Sequence, residues 1–182
     1  MCLWRSLWPS IRLVPGRAFG TGEHATTRLC AAALEDEVRP GSRWLDLGTG
    51  TGILAVVAAQ CDAGEVVAVD SDPEAVAVAR EVVAANRGLE RVSFRTGSLD
   101  PGLDGQFDGV VVNVSAAYLV AAAPALAASV RAAGIVLASG FQREDLDEIA
   151  EAMTAAGLGP RSTSTQEDWV LLVLEPLSGE RP

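Results

Sequence analysis

The chain has no lysine: all 14 basic residues are arginine, set against 24 acidic residues for a net charge of -10. An acidic balance argues against nucleic acid as the main partner, because basic contacts to phosphate supply most of that affinity. Histidine is almost absent too. His24 is the only one, which excludes a histidine-based zinc site or a metalloprotease, and no metal is expected. Cys2, Cys30 and Cys61 are scattered without metal-like spacing and read as reduced or buried thiols of a cytoplasmic protein. No apolar run reaches the roughly 18 to 20 residues a membrane span needs. The opening M-C-L-W-R-S-L-W lacks the uninterrupted apolar core of a signal peptide. There is no internal repeat.

What the chain does have is apolar bulk. Of its 182 residues, 49% are hydrophobic, which suits one domain with a full core. Residues 1–14 read as an N-terminal arm, broken by Pro15-Gly16. Residues 15–176 read as the domain and 177–182 as a frayed tail.

The organising stretch is Arg43 to Gly52, R-W-L-D-L-G-T-G-T-G, followed by a helical run from Ile53 to Ala59. Trp44, Leu45 and Leu47 suit a buried strand. Gly48, Gly50 and Gly52 make a turn in which no side chain blocks a ligand. The following helix presents unpaired N–H groups and a positive dipole end above that turn. Strand, glycine turn and helix open a nucleotide-binding α/β sheet, although a tight structural turn alone would also use such glycines. The dinucleotide fingerprint G-x-G-x-x-G needs a glycine at position 53. That position is Ile53, and the glycine is Gly52. An acid, Asp46, stands two residues before the first glycine.

D-x-G-x-G-x-G resembles motif I of the class I methyltransferases that use S-adenosylmethionine. The resemblance implies that Asp46 attracts the ammonium of that cofactor, directly or through water, while the glycine N–H groups and the helix end suit its carboxylate. The next strand, Glu65 to Asp70, ends in an acid roughly 20 residues beyond the turn, where a carboxylate accepts from ribose hydroxyls.

Further elements follow in order. The polar loop Arg17 to Thr27 leads into a helix expected over Thr26 to Leu34, which Thr26 or Thr27 could cap. Asp72-Pro73 starts a helix ended by Asn86 to Gly88, with Val76, Ala79, Val83 and Ala84 on its apolar stripe. Val92 to Thr96 suit a third strand, and a turn from Gly97 to Gly105 follows. Phe107 to Asn113, F-D-G-V-V-V-N, suits a buried strand ending in an amide. Asn113 could serve a ligand or cap the next helix. Ala116 to Ala132 is an Ala-rich helix that Pro124 kinks or divides. Gly134 to Ser139 is a strand, Arg143 to Ala156 an amphipathic helix with Gly157 as its C-cap. Ser162 to Thr165 and Trp169 to Glu175 are the last strands. The elements give an α/β fold class, and the motif I resemblance implies a Rossmann-like class I methyltransferase domain, with a mostly parallel seven-stranded sheet, helices on both faces and an antiparallel last strand.

P-G-R-A-F-G-T-G-E-H-A-T-T, Pro15 to Thr27, resembles the signature of the PrmA-type methyltransferases, which methylate amino groups of the large-subunit ribosomal protein eleven. D-L-G-T-G-T-G-I-L-A, V-D-S-D-P, N-V-S-A (Asn113 to Ala116) and E-D-W-V (Glu167 to Val170) fall in that family's order, over Pro15 to about Glu175. The resemblance implies S-adenosyl-L-methionine as cofactor and a protein substrate, with Thr27, Gly48, Asp70 and Asn113 at the family's cofactor positions. Asp46, Gly50, Gly52 and Ser71 join them as candidates, and Ser98 or Leu99 is placed near the adenine by motif analogy. Only 14 residues precede Pro15-Gly16, so the family's substrate-docking domain is not expected in this chain. Val114-Ser115 replaces an aliphatic pair and Thr49 a frequent cysteine, departures that leave substrate identity open.

Methyl transfer from a sulfonium mainly requires positioning. An amine acceptor must be neutral, and a lysine with a reference pKa of about 10.4 is mostly protonated at neutral pH. No residue stands out as a dedicated base. Asn113 and His24 are the catalytic candidates, although a histidine beside a glycine loop more often orders the loop. Three functions stay open: a protein amino-group methyltransferase, a small-molecule methyltransferase, or a domain that binds the cofactor without catalysis. The missing lysine fits a compositional bias towards Arg, Ala, Gly and Val, or self-protection of a lysine-modifying enzyme.

Overall fold

The computed structural model describes residues 11–12, 22–86, 90–100 and 106–177. Its centre is a seven-stranded sheet of β1 (Arg43–Leu47), β2 (Glu65–Asp70), β3 (Val92–Thr96), β4 (Phe107–Asn113), β5 (Val130–Gln142), β6 (Leu158–Gln166) and β7 (Trp169–Pro176). The spatial order is β3-β2-β1-β4-β5-β7-β6. The first five strands are parallel, and β7 inserts antiparallel between β5 and β6. The expected mixed sheet with an antiparallel last strand is therefore present.

Central strands buried on both faces need apolar side chains in unbroken runs. In β4, successive valines divide the work. Val111 joins a core with Cys30, Leu34 and Trp44, under α1 (Ala25–Glu37), α2 (Ile53–Gln60) and α3 (Pro73–Ala85). Val110 and Val112 join the opposite core with Leu119, Ile149 and Met153, under α4 (Ala116–Ser129) and α5 (Leu146–Ala155). The period-2 pleat thus builds both layers. Each such fully buried side chain contributes about 1.5–3 kcal/mol.

Gly109 sits mid-strand in β4, a place that ordinarily weakens a strand. A Cβ there would overlap the ring of Trp44. The largest side chain of the core lies over this missing one, and Trp44 Nε1 donates to Ser42 Oγ at 3.0 Å.

Several boundaries differ from the sequence reading. α1 starts at Ala25, and His24 caps it rather than Thr26 or Thr27: its ring accepts from the Thr26 N–H. Pro124 lies inside one continuous helix that stops at Ser129, not Ala132. β5 begins at Val130, four residues early, because Val130 pairs with Phe107 in the core. Arg143–Asp145 form a 3-10 turn before α5, closed by a reciprocal cap between Gln142 and Asp145. β6 is longer than Ser162 to Thr165 because β7 pairs along all of it, with an irregularity between Pro160 and Ser162.

Of the N-terminal arm, Ile11 packs on the core and Arg12 brackets Asn86. The Arg12 N–H donates to Asn86 Oδ1 at 3.0 Å, and Asn86 Nδ2 donates to Arg12 O at 2.9 Å. The rest of that arm, the polar loop up to residue 21, the turn over 101–105 and the tail from 178 lie outside the described residues. Among the described residues no helix is long and apolar enough to cross a membrane.

Candidate active site

The carboxyl ends of β1, β2 and β4 meet at one cleft of about 380 Å³. Gly48, Gly50, Asp70, Ser71 and Asn113 all line it. In open α/β sheets this is where ligands bind.

The turn is bound to β2 by its backbone. The N–H groups of Gly48 and Thr49 donate to Val69 O at 2.8 and 3.0 Å. Gly50 N–H donates to Asp70 Oδ2 at 2.9 Å, and Asp72 N–H to Asp70 Oδ1 at 3.0 Å. Both carboxylate oxygens are thereby aimed, and each keeps a lone pair for a hydroxyl. Asp72 Oδ1 then accepts from Glu74 N–H at 2.8 Å, capping α3.

The glycines do different work. Gly48, at φ 71°, would put a Cβ 2.6 Å from Val114 Cγ1. Gly52, at φ 79°, would put one 3.0 Å from Ala79 Cβ, so it serves the approach of α2 to α3.

Asp46 does not line the cleft. The pleat of β1 puts it on the face of Trp44, beneath the turn, where it is 1% exposed. Its Oδ2 accepts from Thr49 Oγ1 at 2.6 Å and from Ala55 N–H at 2.9 Å. Burial raises its pKa to about 6, opposed by those two hydrogen bonds and reinforced by the negative charge of Asp70. From there Asp46 fastens the glycine turn to the start of α2.

Thr27 is also buried, on the first turn of α1, and its Oγ1 has no hydrogen-bond partner among the described residues. It is not among the residues lining the cleft. Nor is His24. Its Nδ1 lies 2.8 Å from Thr26 Oγ1, and its ring meets Trp169 edge-on with centroids 4.6 Å apart. Cys30 is fully buried beside Ser139. Burial pushes its thiol far up, which leaves it inert. Leu99 packs on the core, and Ser98 offers its carbonyl to Arg95 at 2.8 Å. Gly97, two residues earlier than Leu99, is the one that lines the cleft.

Asn113 is half-buried, and its Oδ1 is buried without a hydrogen-bond partner among the described residues. It does not cap the next helix, since Ser115 occupies the N-cap of α4. A buried amide oxygen without a partner costs about 1–3 kcal/mol, so it is an acceptor held ready for a donor.

Tyr118, Val114 and Asp72 line the cleft as well, and sequence reasoning missed them as site residues. For Tyr118 a signal existed, because a first-turn position of α4 lies within one helical turn of the strand tip. No basic side chain is among the described residues lining the cleft. It presents carboxylates and an amide oxygen, an acceptor set for hydroxyls and positive charge.

A family model, ribosomal protein L11 methyltransferase (PrmA), matches residues 7–176. The chain belongs to the PrmA family. The ribosomal protein L11 methyltransferase of Symbiobacterium thermophilum is 46% identical over 167 residues, covering 91% of this chain and 54% of that protein. The one from Heliobacterium modesticaldum is 42% identical over 163 residues, covering 90% and 52%. The chain thus spans about half the length of these curated PrmA relatives. A crystal structure of a ribosomal protein L11 methylase from Lactobacillus delbrueckii subsp. bulgaricus matches with a TM-score of 0.84 at 33% identity, covering 92% of this chain and 85% of that one. A precorrin-6y C5,15-methyltransferase from Geobacter metallireducens matches at TM-score 0.69 and 15% identity, a likeness of fold alone.

Proposed function

We propose that this PrmA-family chain binds S-adenosyl-L-methionine in the cleft and methylates amino groups of a protein, ribosomal protein L11 or a relative of it. The observation that carries the reading is the pairing of Asp70 and Asn113 across the Gly48 turn, in a cleft of about 380 Å³.

The residues fit the cofactor. Asp70, its two oxygens set by Gly50 and Asp72, would take the ribose hydroxyls. Gly48 lets Val114 pack against the turn, and the N-terminus of α2 favours a carboxylate. Asn113 Oδ1 lacks a donor that an ammonium or an acceptor amine supplies. The bound cofactor supplies an electrophilic methyl carbon on a sulfonium. The chain's own contribution is positional: Asn113 orients an amine N–H for transfer. Cytoplasmic location and the absence of nucleic acid from its partners belong to the same reading.

Calorimetry with S-adenosylmethionine and, separately, a nicotinamide dinucleotide tests the first half. Saturable binding of the former alone is expected, and preference for the latter would end the proposal. Incubation with labelled cofactor plus ribosomal protein L11 or a cell extract tests the second. Label should enter protein, whereas label confined to low-mass material would assign the chain a small-molecule acceptor. Tight binding without any transfer would make it a non-catalytic binding domain.

A further inference from the structure

We propose that Tyr118 is the residue that selects the methyl acceptor, its ring forming an aromatic wall against which the alkyl stem and nitrogen of an unbranched primary amine pack beside Asn113. The proposal rests on the reading of the cleft given above and names the contact that reading lacks.

Tyr118 is the chain's sole tyrosine. Large apolar side chains are scarcely exposed in this fold: among the described residues only Tyr118, at 39%, and Leu177 qualify. Leu177 lies at the far end of β7. Tyr118 lies on the cleft, which it lines together with Asp70 and Asn113. A tyrosine this exposed beside a polar cleft leaves part of its surface unspent on the core, although Leu119 next to it is fully buried.

Its position is fixed by what precedes it. Val114 is clamped from two sides. Its N–H donates to Ser139 O at 3.0 Å, and its Cγ1 fills the space a Gly48 side chain would occupy. On the β5 side, Gly140 stands at φ 98°, and any Cβ there would overlap the Val114 backbone. The turn from Asn113 to Ser115 is thus held between two glycines, and the first turn of α4, carrying Tyr118, is registered to the Asn113 amide.

The chemistry of the pair is complementary. Asn113 Oδ1 is an acceptor with no partner among the described residues. An aromatic face attracts alkylammonium and methylated ammonium groups through the ring quadrupole, and its apolar surface covers a methylene stem. A lysine side chain or its analogue satisfies both at once. An alcohol of equal length lacks the cation, and a carboxylate is repelled by Asp70 and Asp72 as well as by the ring.

A single tyrosine allows a direct test that needs no turnover. The full chain, with its tyrosine ring isotopically labelled and saturated with S-adenosylhomocysteine, is titrated with n-butylamine, n-butanol and butyrate while the ring resonances are followed. Saturable shifts with the amine, at least about fivefold tighter than with the alcohol, and none with butyrate are expected. Equal response to amine and alcohol, or no response, would overturn the proposal. Failure of S-adenosylhomocysteine to bind would instead strike the reading of the cleft. With ribosomal protein L11 as acceptor, Y118A should raise the acceptor KM by about five- to tenfold while cofactor affinity stays within about twofold. Y118F, which keeps the ring, should recover most of the lost acceptor affinity. A Y118A enzyme with unchanged acceptor KM would also overturn the assignment.

Discussion

Gly50 N–H donates to Asp70 Oδ2 at 2.9 Å, so the tip of β2 is tied directly to the glycine turn that follows β1. One carboxylate therefore shapes the turn and faces the cleft. Replacing Asp70 by Ala removes both functions, and hydrogen bonds to a charged group are worth about 1.5–3 kcal/mol each. Calorimetry should show cofactor affinity falling by about 100-fold in D70A and by about tenfold in D70N, which keeps one acceptor. Affinity unchanged in D70A would remove Asp70 from the site.

Gly48→Ala meets two penalties, a left-handed φ of 71° and a Cβ 2.6 Å from Val114 Cγ1. Strain of this kind costs about 1–3 kcal/mol. Urea unfolding should show G48A destabilised by about that amount. Cofactor binding should weaken as well, because Val114 must move and takes Asn113 with it.

Asp46 gives the fold a defined pH dependence. Its pKa rises on folding from 3.8 to about 6, so the folded chain holds the proton more tightly than the unfolded one. Its contribution is therefore greatest below about pH 4, is lost as pH rises towards 6, and stays constant above that, a change of about 3 kcal/mol. The difference in unfolding free energy between the wild type and D46N should trace this curve, the wild type losing ground between pH 4 and 6. A flat difference would mean that Asp46 titrates normally. Removing the Thr49 hydroxyl, as in T49V, takes away a hydrogen bond that favours the carboxylate and should move the midpoint higher.

Asn113→Ala removes the unpartnered Oδ1 without touching the clamp on Val114, which is made by backbone and glycines. The melting temperature should hold within a few degrees, since a loss of about 1 kcal/mol shifts a domain of this size by about 2–4 °C. Methyl transfer should fall by about 100-fold, the scale of one oriented polar contact at a reacting centre. Undiminished transfer in N113A would leave the acceptor amine without its proposed partner.

The β1–turn–α2 unit, the acid at the tip of β2 and the amide at the tip of β4 were legible in the sequence because each is a short-range pattern: alternating glycines after a short strand in the first, a valine-rich run and then one polar residue in the other two. Strand tips on the same sheet edge converge without any further information. The role of Asp46 was harder to read. Two residues from Trp44 on a pleated strand, it shares that residue's buried face, and motif position alone does not show that burial. The cap of α1 was missed because a histidine ring nitrogen took the place of a threonine hydroxyl. Gly109 and Gly140 carried no local signal, since each is required by a residue distant in sequence, Trp44 or Val114. The extra length of β5 and β6 arises from pairing with β4 and β7, which no local window contains.

The placement of β7 between β5 and β6 has a consequence for biosynthesis. Until Trp169–Pro176 have emerged from the ribosome, β6 has no neighbour to pair with and β5 shows a bare edge. The sheet is completed from its middle by nearly the last segment described, so a nascent chain halted before β7 carries a bare edge on β5 and a wholly unpaired β6, an invitation to aggregation. Closure of the domain is thereby coupled to the end of translation of this segment.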